Sequence, residues 1–316
     1  MKRLITFMFS LCLIVSAFSN YILQDDSPAL KGPYLGQDPP GMKAEIFDPG
    51  IFPENEFRYC SGFLNDGTVF VFTSKKQGTD RRLRPTYVTE LKNGRWTEPE
   101  IAPFSEYMPF NFTVGSGGQI IYFTTLKSPD KTTDILLEQS NIWMVSMQKN
   151  GWTEPVMLGS SINTVKYNES YPAVALNGTI YYMSNRKGGY GRVDVYRSKY
   201  LGGRYGPAEN VGPVINTEGS DQDPFIAPDE SYLIVCQDKP AGFGKYDLYI
   251  SFRKEDGSWT KLINMGPDIN STEYDFRPYV TPDGKYLFFT CTSDVSGNIH
   301  WVDAKIIEQL RSNHLK

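Results

Sequence analysis

One pattern, a hairpin preceded by an acid, recurs five times along this 316-residue chain. The stretch EYDFRPYVTPDGKYLFFT, residues 273–290, holds a complete copy, with Asp275 three residues ahead of Pro278 and a Pro-Asp-Gly turn before an apolar strand. Asn or Asp followed by Gly supplies the positive φ angles that tight hairpin turns require. The corresponding turns lie at 65–67, 116–118, 177–178, 228–230 and 282–284. A unit that recurs about every 50 residues predicts a repeat architecture.

Each unit contains sequence for four strands. The hairpin provides the first two, a segment such as DLYIS at 247–251 provides the third, and a segment that begins Gly-x-Trp or a variant, such as GSWTK at 257–261, provides the fourth. Four strands in about 50 residues are typical of one blade of a β-propeller. Only four such fourth strands accompany the five hairpins, so residues 44–48 are predicted to supply the missing outer strand of the last blade. Pairing there would close the ring without a free sheet edge.

The pattern therefore predicts an all-β fold, a five-bladed β-propeller closed by an N-terminal strand. This single domain is expected to span residues 44–310. Residues 20–43 are predicted to form an irregular lead-in, and residues 311–316 are predicted to form a tail.

The units also carry a resemblance to a known family. Segments such as PYVTPDGKYLFFTCTSD at 278–294, followed in other units by Asp-Leu-Tyr and Gly-x-Trp, resemble the WD40-like, PD40-type repeats of TolB-like bacterial propellers. The resemblance covers residues 34–310. It implies a propeller that serves as a docking platform. Because TolB-like propellers usually have six blades, a six-bladed ring is the alternative.

The N-terminal sequence MKRLITFMFSLCLIVSAFSN predicts export. Lys2 and Arg3 precede an uncharged apolar run that is shorter than the roughly 20 residues of a membrane-spanning helix. Residues 1–19 match a cleavable signal peptide. Its removal moves the formal net charge from −4 to −6, which argues against nucleic acid and anionic membranes as partners. We expect a periplasmic, secreted or cell-surface protein that is monomeric and has no membrane span.

Three cysteines remain after the predicted leader: Cys60, Cys236 and Cys291. Cys236 and Cys291 fall in the second strand of neighbouring units, but one position out of step. Successive positions of a strand point to opposite faces, so these two side chains should diverge. We predict that none of the three forms a disulfide.

An acid begins each unit, and acids spaced one blade apart suggest a ring around one mouth of the propeller axis. The predicted ligand-binding ring consists of Glu56, Glu106, Glu169, Asp221 and Asp275, with Arg58 and Arg277 offsetting the repulsion between the carboxylates. A bound Ca²⁺ is considered at this ring, and no other cofactor is expected. The alternative is that each acid accepts hydrogen bonds from the backbone of the loop that precedes it.

Two classes of function remain. The first is a non-catalytic platform that binds a protein, peptide or glycan ligand at the acidic mouth, with aromatic residues available for stacking: Tyr107, Tyr171, Tyr190, Phe243 and Phe276. The second is a carbohydrate-active enzyme, a glycoside hydrolase or lyase, because glycoside hydrolysis needs two carboxylates about 5–10 Å apart. The acids show no specialisation from unit to unit, so we favour the platform and predict no catalytic residues.

Overall fold

The computed structural model describes residues 30–314 except 77, 80–83, 131, 134, 240 and 295. Within these residues the chain forms 22 β-strands and one α-helix. The predicted all-β class is confirmed. The predicted signal peptide, residues 1–19, lies outside the described residues, as does the first part of the predicted lead-in.

The strands form five antiparallel sheets, the blades, in chain order. β1 (Glu45–Ile46) stands before blade 1, which contains β2 (Glu56–Leu64), β3 (Val69–Lys76), β4 (Thr86–Lys92), β5 (Arg95–Trp96) and β6 (Glu100–Ile101). Blade 2 contains β7 (Asn111–Val114), β8 (Ile120–Lys127), β9 (Leu136–Gln148), β10 (Gly151–Trp152) and β11 (Val156–Met157). Blade 3 contains β12 (Glu169–Val174), β13 (Ile180–Ser184), β14 (Asp194–Ser198) and β15 (Glu209–Asn210). Blade 4 contains β16 (Asp221–Ile226), β17 (Tyr232–Gln237), β18 (Asp247–Phe252) and β19 (Ile263–Asn264), and blade 5 contains β20 (Tyr274–Val280), β21 (Tyr286–Thr292) and β22 (Gly297–Asp303).

The outer strand of blade 5 comes from the other end of the chain. The strand order of this sheet is β20-β21-β22-β1. Glu45 lies opposite Trp301, and Ile46 lies opposite His300. The closure of the ring by an N-terminal strand is confirmed, and the ring has five blades rather than six.

The side chain that follows β1 anchors this closure. Phe47 is fully buried, and its ring lies 5.0 Å from that of Trp301 and 5.1 Å from that of Phe288. It also contacts Phe70 of blade 1 at 5.7 Å, so a single aromatic residue joins the last blade to the first. Aromatic pairs in this edge-to-face geometry add to the stabilisation from apolar burial.

Three asparagines take the place of strand residues in blades 2, 3 and 4. The side-chain amide of Asn216 accepts a hydrogen bond from the N–H of Val195 at 2.8 Å and donates one to the carbonyl of the same residue at 2.9 Å. Asn163 forms the same pair of hydrogen bonds with the backbone of Ile142, and Asn270 forms it with the backbone of Leu248. We call this pair of hydrogen bonds an asparagine clamp. In blade 5 the backbone amide of Phe47 donates to Ile299 instead. Each asparagine satisfies a buried backbone N–H that the short fourth strand leaves without an acceptor, and it adds a second hydrogen bond to the carbonyl of the same residue.

The ends of the described chain pack on the ring. Tyr34 and Leu35 are buried in a 3₁₀ turn, Pro33–Gly36, within the predicted lead-in. The helix α1 (Lys305–His314) follows β22, crosses the predicted end of the domain and buries Ile306 and Ile307.

Among the described residues the absence of a disulfide is as predicted, and Cys236 is buried, but Cys291, which its apolar strand also suggested to be buried, is only partly so. Cys60, Cys236 and Cys291 are free, and Cys236 occupies the register position of Thr290 rather than that of Cys291.

Candidate functional site

A two-residue bulge interrupts four of the five inner strands. In β20 the pairing with β21 stops at Phe276–Thr290 and resumes at Tyr279–Phe288, which leaves Arg277 and Pro278 opposite one residue. The equivalent pairs are Tyr59-Cys60 in β2, Tyr171-Pro172 in β12 and Asp223-Pro224 in β16. Proline has no N–H to donate to the ladder, so a bulge is where a strand tolerates it. This position explains why the repeat places a proline inside its first strand.

In three of these four bulges the first residue faces the axis. Tyr171, Asp223 and Arg277 have positive φ angles of 52°, 49° and 57°, which residues other than glycine rarely adopt. With the prolines that follow them, they line a cavity of about 30 Å³ on the propeller axis. This volume holds about one or two water molecules, so the axis is filled by side chains rather than open as a channel.

The acids of blades 3, 4 and 5 bind the loops that precede their strands. Glu169, Asp221 and Asp275 are fully buried. Their carboxylates accept backbone N–H groups from Thr164 at 2.8 Å, Thr217 at 2.6 Å and Ser271 at 2.6 Å, respectively. Burial raises the pKa of Asp221 and Asp275 to about 6 and also raises the pKa of Glu169. The loop-building alternative accounts for the geometry of these three acids.

The remaining predicted residues occupy other places. Glu106 is exposed in a 3₁₀ turn (Ser105–Tyr107) upstream of β7, so it does not begin an inner strand. Glu56 lies opposite Lys76 and accepts a hydrogen bond from Ser74 at 2.5 Å. Arg58 and Arg277 both stand two residues after an acid, but they are not equivalent in the structure, because the register places Tyr59 at the Arg277 position. Arg58 instead forms an ion pair with Asp48 at 3.3 Å.

The mouth of the axis is therefore lined by cations rather than by the predicted acids. The upper face is the end of the ring at which the inner strands begin. On this face Arg84, from the segment between β3 and β4, places its guanidinium carbon 3.8 Å from the ring centre of Tyr59, and Arg277 places its own 5.1 Å from the same ring. None of the five predicted acids lines the axial cavity or the cleft above it, whereas Arg277 lines both.

These two guanidinium groups keep unused hydrogen-bond donors. Arg84 donates from Nη1 to the carbonyl of Phe110 at 2.9 Å, and Arg277 donates from Nη2 to the Tyr171 hydroxyl at 3.2 Å. Nε of Arg84 and both Nε and Nη1 of Arg277 are buried without a partner among the described residues. Burial and the neighbouring Arg277 lower the pKa of Arg84 to about 10, so both side chains stay protonated at neutral pH.

Asp223 provides partial compensation for this charge. Its Oδ2 accepts the backbone N–H of Arg277 at 3.2 Å, and its Oδ1 is buried without a partner among the described residues. Burial raises the pKa of Asp223 to about 7, and Arg277 opposes that rise. Asp223 therefore changes charge in the neutral range, while the arginines above it do not.

A cleft of about 420 Å³ opens above the arginines on the upper face, between blades 2 and 3. Polar groups of Ser140, Asn168, Ser170 and Asn185 line it, together with the apolar side chains of Phe110, Leu126, Met183 and Val193. Glu138 is the only acid among the described residues that line it. Its size lies within the range of pockets that bind small ligands.

Two exposed aromatic side chains stand on the same face. Tyr190 and Phe243 are about half exposed, in glycine-rich loops that join the second and third strands of blades 3 and 4. Each loop is held by an aspartate, because Asp194 accepts the amide of Tyr190 and Asp247 accepts the amide of Phe243, both at 2.6 Å. By contrast, Tyr107 is buried, so it cannot serve the predicted stacking role.

Sequence reasoning missed Arg84, Tyr59 and Asp223 as residues of the mouth. One signal could have found Asp223, since in blades 3, 4 and 5 the residue immediately before the repeated proline is the one that the bulge turns toward the axis. Arg84 carries no such signal, because it belongs to a connection outside the repeat. The described residues contain no group of three His, Cys, Asp or Glu side chains that could hold a metal ion.

No protein-family model matches the chain, and no curated protein matches it. Among solved structures, putative TolB from Agrobacterium tumefaciens superimposes with a TM-score of 0.51 at 13% identity, over 83% of this chain and 86% of that one. TolB from Acinetobacter baumannii gives 0.45 at 12% identity, over 79% of this chain and 55% of that one. An alpha-L-arabinofuranosidase from Lactobacillus brevis gives 0.45 at 12% identity, over 78% and 89%.

The chain has a TolB-like propeller fold. At this level of identity the likeness concerns the fold alone, so the chemistry of the mouth has to be argued from this chain's own residues. Across the described part of the chain, no helix has the length and apolar character that crossing a membrane requires.

Proposed function

We propose that this protein is an exported, non-catalytic propeller that binds a glycan, peptide or protein ligand in the cleft on its upper face. The observation that carries the proposal is the cleft itself, which is lined by Arg84 and Arg277, two residues with buried N–H groups that have no partner among the described residues. Buried donors are nearly always hydrogen bonded in native proteins, so buried donors without an acceptor beside a cleft indicate that a ligand supplies the acceptor.

The same cleft gives less support to a glycoside hydrolase. Such an enzyme needs a pair of carboxylates flanking the bond to be cleaved. The described lining offers Glu138 alone, and three of the predicted acids are already hydrogen bonded within their loops. The same hydrogen bonds make these acids poor calcium ligands, so the calcium prediction is best tested directly by calorimetry.

Export is supported by the N-terminal sequence. Expression of the full chain in a bacterial host, followed by N-terminal sequencing of the product outside the cytoplasm, should show cleavage after Ser19. An intact N-terminus on protein that remains with the cytoplasm would contradict export.

Blocking the cleft tests the binding site. Leu126 is half-buried in the cleft wall, and a tryptophan at this position should fill much of the space. Val156, 53% exposed on the outer strand β11, provides the control position. We expect glycan and peptide arrays to identify ligands that the wild type and Val156→Trp bind and that Leu126→Trp does not. Equal binding by Leu126→Trp would place the site elsewhere, and release of ligand fragments by the wild type would show catalysis.

A further inference from the structure

We infer that Arg84 and Arg277 bind a carboxylate of the ligand, and that this ligand is an acidic glycan containing uronic acid. The inference rests on the proposed binding function and specifies its chemistry. It reverses the charge predicted for the mouth, since the group to be recognised is an anion rather than a cation.

The first argument is the unpaired charge. Neither Arg84 nor Arg277 forms an ion pair with a carboxylate among the described residues. Arg84 is only 9% exposed. A buried cation without a partner is costly, and two of them beside one ring also repel each other. An anion bound between them would remove both costs.

The second argument is the arrangement of the donors. A guanidinium group is a planar fork whose N–H groups match the two oxygens of a carboxylate. Three such N–H groups, Nε of Arg84 with Nε and Nη1 of Arg277, lie buried at the same mouth without a hydrogen-bond partner among the described residues. Stacking on Tyr59 holds both forks in place before any ligand arrives, so little side-chain entropy remains to be lost on binding.

The third argument favours a sugar over a peptide as the carrier of this carboxylate. Extended peptides commonly bind by adding a strand to a free sheet edge. The strands around the cleft, β8, β9, β12 and β13, are already paired within their blades. The cleft instead offers hydroxyl and amide groups, such as Ser170 and Asn185, and the exposed Tyr190 lies three residues before Val193 of its wall. Hydroxyl, amide and aromatic groups suit a pyranose ring.

Calorimetry on the mature chain tests the inference. The probes are uronic acid oligosaccharides of the glucuronate, galacturonate and mannuronate series, each with a neutral counterpart in which the carboxylates are reduced to alcohols. Tetraglutamate and inorganic phosphate represent other anions. We expect at least one uronate series to bind, its neutral counterpart to bind at least tenfold more weakly, and Arg84→Gln and Arg277→Gln to lose at least tenfold in affinity. Arg253→Gln is the matched control, because Arg253 pairs with Glu230 at the opposite end of the ring.

The remaining outcomes separate the inference from the proposed function. Equal affinity for charged and neutral oligosaccharides, or unchanged affinity in both arginine variants, would overturn the inference and leave the cleft as a binding site. Binding of tetraglutamate or phosphate without any uronate oligosaccharide would overturn the assignment to a glycan. If no uronate series binds while Leu126→Trp still abolishes binding of another ligand, the inference fails and the proposed function stands.

Discussion

Asp275 and Arg277 are two residues apart in β20, yet the first is bound within the loop at Ser271 and the second reaches Tyr59 in blade 1. The positive φ of Arg277 turns its side chain away from the course that an unbroken strand would give it. One repeated motif therefore performs two tasks. Its acid fixes the loop between blades, and the residue before its proline determines the chemistry of the axis.

Phe47 should be the main determinant of ring closure. Phe47→Ala removes a fully buried ring that contacts blades 1 and 5, so we expect a loss of about 3–5 kcal/mol in the free energy of unfolding. Ile46→Ala is the control, because the neighbouring side chain is 50% exposed and should change stability by less than about 0.5 kcal/mol. Urea denaturation followed by tryptophan fluorescence measures both values. Equal stability of the two variants would mean that closure depends on the β1 backbone alone.

Asn216 should contribute to stability through Val195 rather than through its own burial. In Asn216→Ala the N–H of Val195, which is fully buried, loses its partner, and the carbonyl of Val195 keeps only its bond from the backbone amide of Val211. A buried unsatisfied group costs about 1–3 kcal/mol, so the free energy of unfolding should fall by about that amount. Asn150→Ala, at an exposed turn position, should have little effect. Hydrogen exchange should also show faster exchange of the Val195 amide, and an unchanged rate would contradict the clamp.

The fold could be predicted because its signals are local. Turns such as Asn177-Gly178 dictate hairpins wherever they occur, and the apolar strands that follow identify the inner layers of each blade. The closure of the ring could also be predicted, because the sequence provides five hairpins but only four fourth strands, and a segment that resembles the missing strand lies near Glu45. These inferences need only the order of elements along the chain.

The site could not be predicted in the same way, because it depends on register. Matching acid-x-x-Pro along the sequence aligned Glu56 with Asp275, but the strand pairing shifts blade 1 by one residue and puts Tyr59 where Arg277 stands. Glu106 matches the acid-x-x-Pro motif in sequence but not in structure, because β7 begins only at Asn111 and pairs with β8 without a bulge. Arg84 reaches the axis from a connection whose path no periodic pattern specifies.

Stability should fall as the pH rises through the range in which the buried acids titrate. The folded-state pKa values of Asp221 and Asp275, about 6, exceed the unfolded value near 3.8 because burial disfavours their charged forms. The folded protein therefore binds more protons between about pH 4 and 6, and its free energy of unfolding should decrease with pH across that window. We expect a decrease on the order of 1–3 kcal/mol for each acid. Urea denaturation at several pH values gives the free energy of unfolding as a function of pH. This free energy should fall less steeply with pH in Asp275→Asn than in the wild type, and an identical dependence on pH would exclude Asp275 as a contributor.

Ligand affinity should depend on pH through Asp223. This carboxyl has a pKa of about 7, so it is largely neutral at pH 6 and ionised at pH 8, where it offsets the charge of Arg277. The titratable groups that face it, Tyr171 and Cys236, have pKa values that burial raises above their usual range, so they stay neutral throughout. The carboxylate of a uronic acid remains ionised over the same interval. Affinity for a uronate oligosaccharide should therefore be higher at pH 6 than at pH 8, by about fivefold if the electrostatic difference is on the order of 1 kcal/mol.

Asp223→Asn keeps an oxygen for the Arg277 amide and cannot ionise, so its affinity should be the same at both pH values. A wild-type affinity that rises with pH would show that Asp223 does not control the charge of the mouth.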